Sequence, residues 1–131
     1  MIVVDTSALM AILLEEAAAD ACGECLSESD QIALSAGTYA EALLVAQRRG
    51  VGRELSELLK GLGCEIVPVT EAEAIRVAAA YERFGKGLHP AGLNFGDCFA
   101  YVLAVQRNCP LLFVGDDFVR TDVRDALSGV K

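Results

Sequence analysis

The stretch Ile2-Val3-Val4-Asp5-Thr6-Ser7-Ala8-Leu9-Met10-Ala11 is a β-branched run that ends on an acid and passes directly into an apolar helix-forming segment. Three consecutive apolar residues without polar alternation are the pattern of a strand buried on both faces, as in a parallel sheet. Thr6-Ser7 offers an N-cap for a helix over 8–16. The chain therefore opens on a strand, an acidic exit and a helix.

Working outward, the same unit recurs. A second helical stretch covers 17–26, and 31–35 reads as a strand. Gly37 breaks the chain before a helix from 38 to about 49, and a further helix over 51–62 carries the apolar stripe Leu55, Leu58, Leu59 and Leu62. A strand over 64–69 leads to a helix capped by Thr70 and running to 84. A glycine-containing loop over 85–93 precedes a helix opened by Asn94 and running to 107, then a strand over 110–114, a Gly-Asp-Asp-Phe turn at 115–118 and a short helix over 121–127. Strands alternating with helices give the α/β class, a parallel sheet covered on both faces. Right-handed crossovers put the carboxyl ends of all strands along one edge, where open sheets bind ligands.

With 131 residues, 53% hydrophobic and 23% charged, the chain has the size and content of one compact domain, 1–131. No signal peptide is evident and no apolar stretch is long enough to span a bilayer. The five scattered cysteines read as reduced thiols, so a cytoplasmic location is expected, with no membrane association. The net charge of −8 opposes broad electrostatic binding of nucleic acid and suits cations or a basic partner segment.

The acids carry the chemistry, and each has a structural alternative. Asp5 follows the first strand, where an acid also satisfies helix N–H groups. Glu41 lies three residues after Thr38, the spacing of a capping box. Asp97 pairs with Asn94 in the same way, yet it opens a strongly apolar helix (Cys98, Phe99, Tyr101, Val102, Leu103) and needs a partner or metal to offset its desolvation. Asp116 and Asp117 stand in an ordinary turn, and Asp122 reads as an exposed acid of the last helix. Together, however, the acids occupy strand exits. Clustered carboxylates repel one another, and a divalent cation relieves that repulsion; all-oxygen ligation points to Mg²⁺ or Mn²⁺.

Ile2 to Leu9, Glu41 in its helix, Leu93-Asn94-Phe95-Gly96-Asp97-Cys98-Phe99-Ala100-Tyr101 and Leu111-Leu112-Phe113-Val114-Gly115-Asp116-Asp117-Phe118 together resemble the PIN domain, and more narrowly the VapC toxins of bacterial VapBC toxin–antitoxin pairs. The resemblance implies a PIN-like three-layer α/β/α sandwich whose parallel sheet has the order 3-2-1-4-5, with a fifth strand near the C-terminus. It implies a Mg²⁺- or Mn²⁺-dependent endoribonuclease toxin acting on tRNA, rRNA or mRNA, a cognate VapB-type antitoxin, and a homodimer that forms a higher hetero-oligomer with it. Carried over by motif, Asp5 and Asp97 are metal ligands with Glu41 as the third acid; Thr6 or Ser7 supports Asp5, and Asn94 supports the site from behind. Many members place the fourth acid three residues before the last motif's phenylalanine, here Gly115. Members ending in Gly-x-Asp-Phe keep it next to the phenylalanine, which favours Asp117 over Asp116.

Other readings weigh less. A haloacid-dehalogenase-like phosphatase wants a second acid at position 7, which is Ser7, and a receiver domain wants a lysine after a late strand, where this chain has Asp116-Asp117. A non-catalytic PIN-like binding module would lack one of the central acids. Arg48, Arg49, Arg53 and Lys86 are candidate phosphate contacts whose simpler reading is solvated surface. Cys22-Gly23-Glu24-Cys25 has no second pair to make a zinc site, His89 is the only histidine, and Gly85-Lys86-Gly87 lacks phosphate-loop spacing.

Overall fold

The computed structural model describes residues 1–128; residues 129–131, the end of the expected domain, lie outside them. Ten elements follow in order: β1 (Ile2–Val4), α1 (Thr6–Leu13), α2 (Ala19–Glu28), β2 (Ile32–Ser35), α3 (Ala36–Arg48), α4 (Gly52–Leu62), β3 (Glu65–Val67), α5 (Glu71–Phe84), α6 (Phe95–Arg107) and β4 (Leu111–Leu112). All strand pairs are parallel and the sheet order is β3-β2-β1-β4.

The period-two geometry of strands splits the core in two. Val3, Ala33 and Leu111 face α5 and α6, where they meet Phe84, Leu93, Cys98 and Val102. Ile2, Val4, Ile32, Leu34 and Leu112 face α1 to α4, among them Leu9, Leu26, Ala42 and Leu55. This is the expected three-layer sandwich. All five cysteines are free thiols, and no helix among the described residues is long and apolar enough to cross a membrane.

Three expectations are corrected. The fifth strand is reduced to one parallel bridge, Leu111 with Asp125, closed by the Leu111 N–H on the Arg124 carbonyl (2.8 Å) and the Ala126 N–H on the Leu111 carbonyl (2.9 Å). Residues 121–127 form no helix. Val123 packs on the α5–α6 core while Ala126 and Leu127 pack on the opposite one, and a single helical turn at the sheet edge cannot serve both. Side chains reinforce this: the Val123 N–H donates to Thr121 Oγ1 and the Leu127 N–H to Asp125 Oδ1, bonds that compete with helix. Third, α3 begins at Ala36 with Ser35 as N-cap, so Gly37 is inside the helix and Thr38 caps nothing.

Candidate metal centre at the strand exits

The sheet delivers Asp5 first. Its N–H continues the ladder to the Leu112 carbonyl (2.9 Å), which fixes the residue between the exits of β1 and β4. It is also the N-cap of α1, a role the sequence assigned to Thr6-Ser7, and both the Ser7 N–H (3.0 Å) and the Ser7 hydroxyl (2.7 Å) donate to its Oδ2. The Ser7 oxygen in turn accepts from the Val114 N–H (3.0 Å), so one hydroxyl ties the acid to the end of β4.

The motif implied that Thr6 or Ser7 supports Asp5; Ser7 does so through its hydroxyl and N–H, and Thr6 through its backbone alone. The Thr6 hydroxyl donates to Glu41 Oε1 at 2.7 Å, so the Ser7 side chain holds Asp5 and that of Thr6 holds Glu41. With Ser35 capping α3, Glu41 has no capping box to close, which removes the structural alternative for this acid.

Asp97 enters from α6. The Asn94 N–H donates to Asp97 Oδ2 (3.0 Å) and the Asp97 N–H to Asn94 Oδ1 (2.8 Å), a complete capping box that pins one carboxylate oxygen. Gly96 is the residue sequence reasoning missed. A Cβ there would overlap the Glu41 carboxylate, 2.7 Å from Cδ and 3.0 Å from Oε1, so the acid from α3 lies on the bare backbone of α6. The available signal was a glycine in a helical first turn with no turn to make.

Burial and mutual repulsion show in the acidities. Burial pushes the Asp5 carboxyl up to about 6 against the Ser7 hydrogen bonds, and the Glu41 charge adds to the rise. Burial likewise pushes Asp97 up to about 7, and Asp5, Asp117 from the turn after β4, and Glu41 each raise it further. Asp116 and Asp117 are both exposed.

Two buried side-chain oxygens among the described residues have no hydrogen-bond partner: Asp5 Oδ1 and Thr38 Oγ1. An unpaired carboxylate oxygen on a buried acid next to two other acids is a donor for a hard cation. Among the described residues no group of three or more His, Cys, Asp or Glu is placed to hold a metal ion by protein ligands alone. Mg²⁺ does not need one, because it keeps several waters and takes one or two carboxylates. The all-oxygen donor set therefore fits such an ion.

The remaining candidates fall outside this group. Arg48 and Arg49 sit at the far end of α3 from the site, and with Arg53 and Lys86 they are exposed. His89 is structural: its Nδ1 accepts from the Ala91 N–H (2.9 Å) and its ring packs edge-on against Phe84. Asp122 accepts the Tyr101 hydroxyl rather than opening a helix. Cys22, in the C-x-x-C, is a buried core thiol.

The family model described as PIN domain matches residues 2–124. The chain is 47% identical to a VapC ribonuclease of Mycobacterium bovis and to Ribonuclease VapC28 of Mycobacterium tuberculosis, over 95% of this chain and 97% of each of theirs. It is 45% identical to Ribonuclease VapC30 of Mycobacterium tuberculosis, over 92% of this chain and 95% of that one. Among solved structures, Mycobacterium tuberculosis VapC20, described as a sarcin–ricin-loop-cleaving toxin, superimposes with a TM-score of 0.77 at 14% identity, covering 94% of this chain and 96% of its own. A toxin–antitoxin complex from Klebsiella pneumoniae gives 0.71 at 18% identity, with 93% of each chain covered.

Proposed function

This chain belongs to the PIN-domain family, within the VapC ribonucleases, and from that premise we propose that it is a toxin that hydrolyses RNA phosphodiester bonds at the Asp5, Glu41, Asp97 and Asp117 cluster. The observation that carries the reading is the pair of buried acids, Asp5 and Asp97, at 3% and 5% exposure, which share one sheet edge and, among the described residues, form no salt bridge to a basic side chain. A fold that only needed caps would not bury two carboxyls against a third and a fourth.

Asp5 and Asp97 would hold a divalent cation, Mg²⁺ or Mn²⁺, with Glu41 and Asp117 completing the acidic wall; Asp116 is the alternative to Asp117. When bound, such an ion supplies an activated water and charge neutralisation for the phosphodiester. The chain's own contribution is orientation. Ser7 fixes which oxygen of Asp5 remains free, Thr6 holds Glu41 over Gly96, and Asn94 pins Asp97 through its cap. Preorganised acids need no reorganisation when the phosphate arrives.

The same wall suits a basic antitoxin segment, which would neutralise the acids by occupying their place. The partner we propose is accordingly a VapB-type antitoxin, with a homodimer of this chain assembling further with it. Five free thiols accord with a cytoplasmic location. A phosphatase or receiver reading finds no support in the site, because position 7 serves Asp5 as a hydroxyl donor.

The test is to map RNA 5′ ends in cells after inducing the wild-type chain and the Asp97→Asn variant. New ends at a defined sequence with the wild type alone are the expected result. Identical end profiles for the two would overturn the assignment.

A further inference from the structure

Phe95 is a large apolar side chain left 63% exposed as the first residue of α6. It stands between Asn94, which caps Asp97, and Gly96, on whose backbone the Glu41 carboxylate lies. The Phe95 backbone therefore borders the acidic cluster, between the residue that caps Asp97 and the one that seats Glu41.

The ring is also held in place. Phe99, one helical turn later, packs edge-to-face against it with centroids 5.0 Å apart and planes at 78°. Phe99 is half-buried on the α5–α6 core and also lies against Gly37 of α3, where an added Cβ would stand 2.7 Å from the ring's Cε1. Gly37, Phe99 and Phe95 thus form a ladder from the α3–α6 contact out to solvent. An edge-to-face pair leaves at least one face of the outer ring uncovered by its neighbour.

We propose that Phe95 is a stacking platform for an unpaired nucleobase of the RNA, seated beside the scissile phosphate. The inference rests on the ribonuclease reading and adds to it how the substrate is gripped. Charge supports this choice of occupant. With a net charge of −8, the chain offers phosphates little electrostatic attraction. Stacking does not depend on charge, contributes roughly ten- to a hundredfold in affinity per base, and is a principal way proteins hold single-stranded RNA. A rigid aromatic next to the reacting group also fixes the position of the neighbouring phosphate.

The chain contains no tryptophan, so Phe95→Trp introduces a single indole at the platform. In the full chain carrying Asp97→Asn to block turnover, titration with a mixed-sequence single-stranded RNA oligonucleotide should quench that fluorescence saturably. In the active chain, Phe95→Ala should raise KM about tenfold with kcat changed less than about threefold, Phe95→Trp should restore KM, and Phe95→Leu should not. Rescue by leucine, or an unchanged KM in Phe95→Ala with cleavage intact, overturns the platform while leaving the ribonuclease reading standing. Loss of self-association in Phe95→Ala with unchanged RNA affinity also overturns it, assigning the ring to a protein contact. Cleavage by Asp97→Asn at the wild-type rate instead overturns the underlying reading.

Discussion

Replacing Gly96 by alanine separates the stability of this fold from the working geometry of its site. In an ordinary helix the change stabilises, by up to about 1 kcal/mol. Here the new methyl group occupies the position of the Glu41 carboxylate, 2.7 Å from Cδ. The carboxylate is the far end of a flexible side chain and can swing away, so the backbone need not move. What is lost is the hydrogen bond from the Thr6 hydroxyl to Glu41 Oε1, 2.7 Å long and charge-assisted, worth roughly 1.5–3 kcal/mol. The two effects leave a net destabilisation of about 1 kcal/mol, a shift of a few degrees in Tm for a chain of this size. Activity should respond far more, because an acid displaced by about an ångström costs on the order of 100-fold. Urea denaturation and the rate of RNA cleavage measure the two sides, and a double-mutant cycle with Glu41→Ala isolates the cause. In the Glu41→Ala background, Gly96→Ala should stabilise slightly and leave residual activity unchanged. Additive losses of activity, or a fully active Gly96→Ala protein, would refute the reasoning.

Three further outcomes follow from the same contacts. Asp5 and Asp97 titrate at about 6 and about 7, above their unfolded value near 3.8. The folded state therefore binds more protons than the unfolded state between about pH 4 and 7, and metal-free stability should fall across that window by a few kcal/mol, then level off. Denaturation midpoints at pH 5 and pH 8 check this, and millimolar Mg²⁺ should raise the midpoint at pH 8 but hardly at pH 5. Ser7→Ala removes the hydroxyl that donates to Asp5 and accepts from the Val114 N–H, so it should destabilise by about 1–3 kcal/mol and move the acidic limb of the pH–rate profile upward. Asp117→Asn should lower kcat by tenfold or more while Asp116→Asn stays within about threefold; equal losses in steady-state assays would remove the preference for Asp117.

The sheet was legible because a doubly buried strand announces itself: Ile2-Val3-Val4 and the apolar run at 111–114 have no polar face to misplace. Asp5, Asp97 and the Asn94 cap were legible for the same local reason, since strand exits and helix starts are written in neighbouring residues. Glu41 was harder. Its spacing from Thr38 imitates a capping box, and only the start of α3 at Ala36, fixed by the Ser35 cap, shows that the box does not form. The region after Phe118 misled because its conformation is set by tertiary demand: Val123 serves one core and Ala126 and Leu127 the other. The hydrogen bond of Thr6 to Glu41, and the seat that Gly96 provides for Glu41, depend on contacts 35 or more positions apart, and the one local trace of either is a glycine in a helical first turn.

The most direct test of the acidic centre is the cleavage rate of an RNA substrate by the purified chain as Mg²⁺ is removed with EDTA and returned. The account predicts saturable dependence on the cation, complete loss with EDTA, recovery when Mg²⁺ is restored, and no cleavage by Asp97→Asn under any of these conditions. Cleavage that survives EDTA, or that proceeds at the wild-type rate in Asp97→Asn, would contradict it.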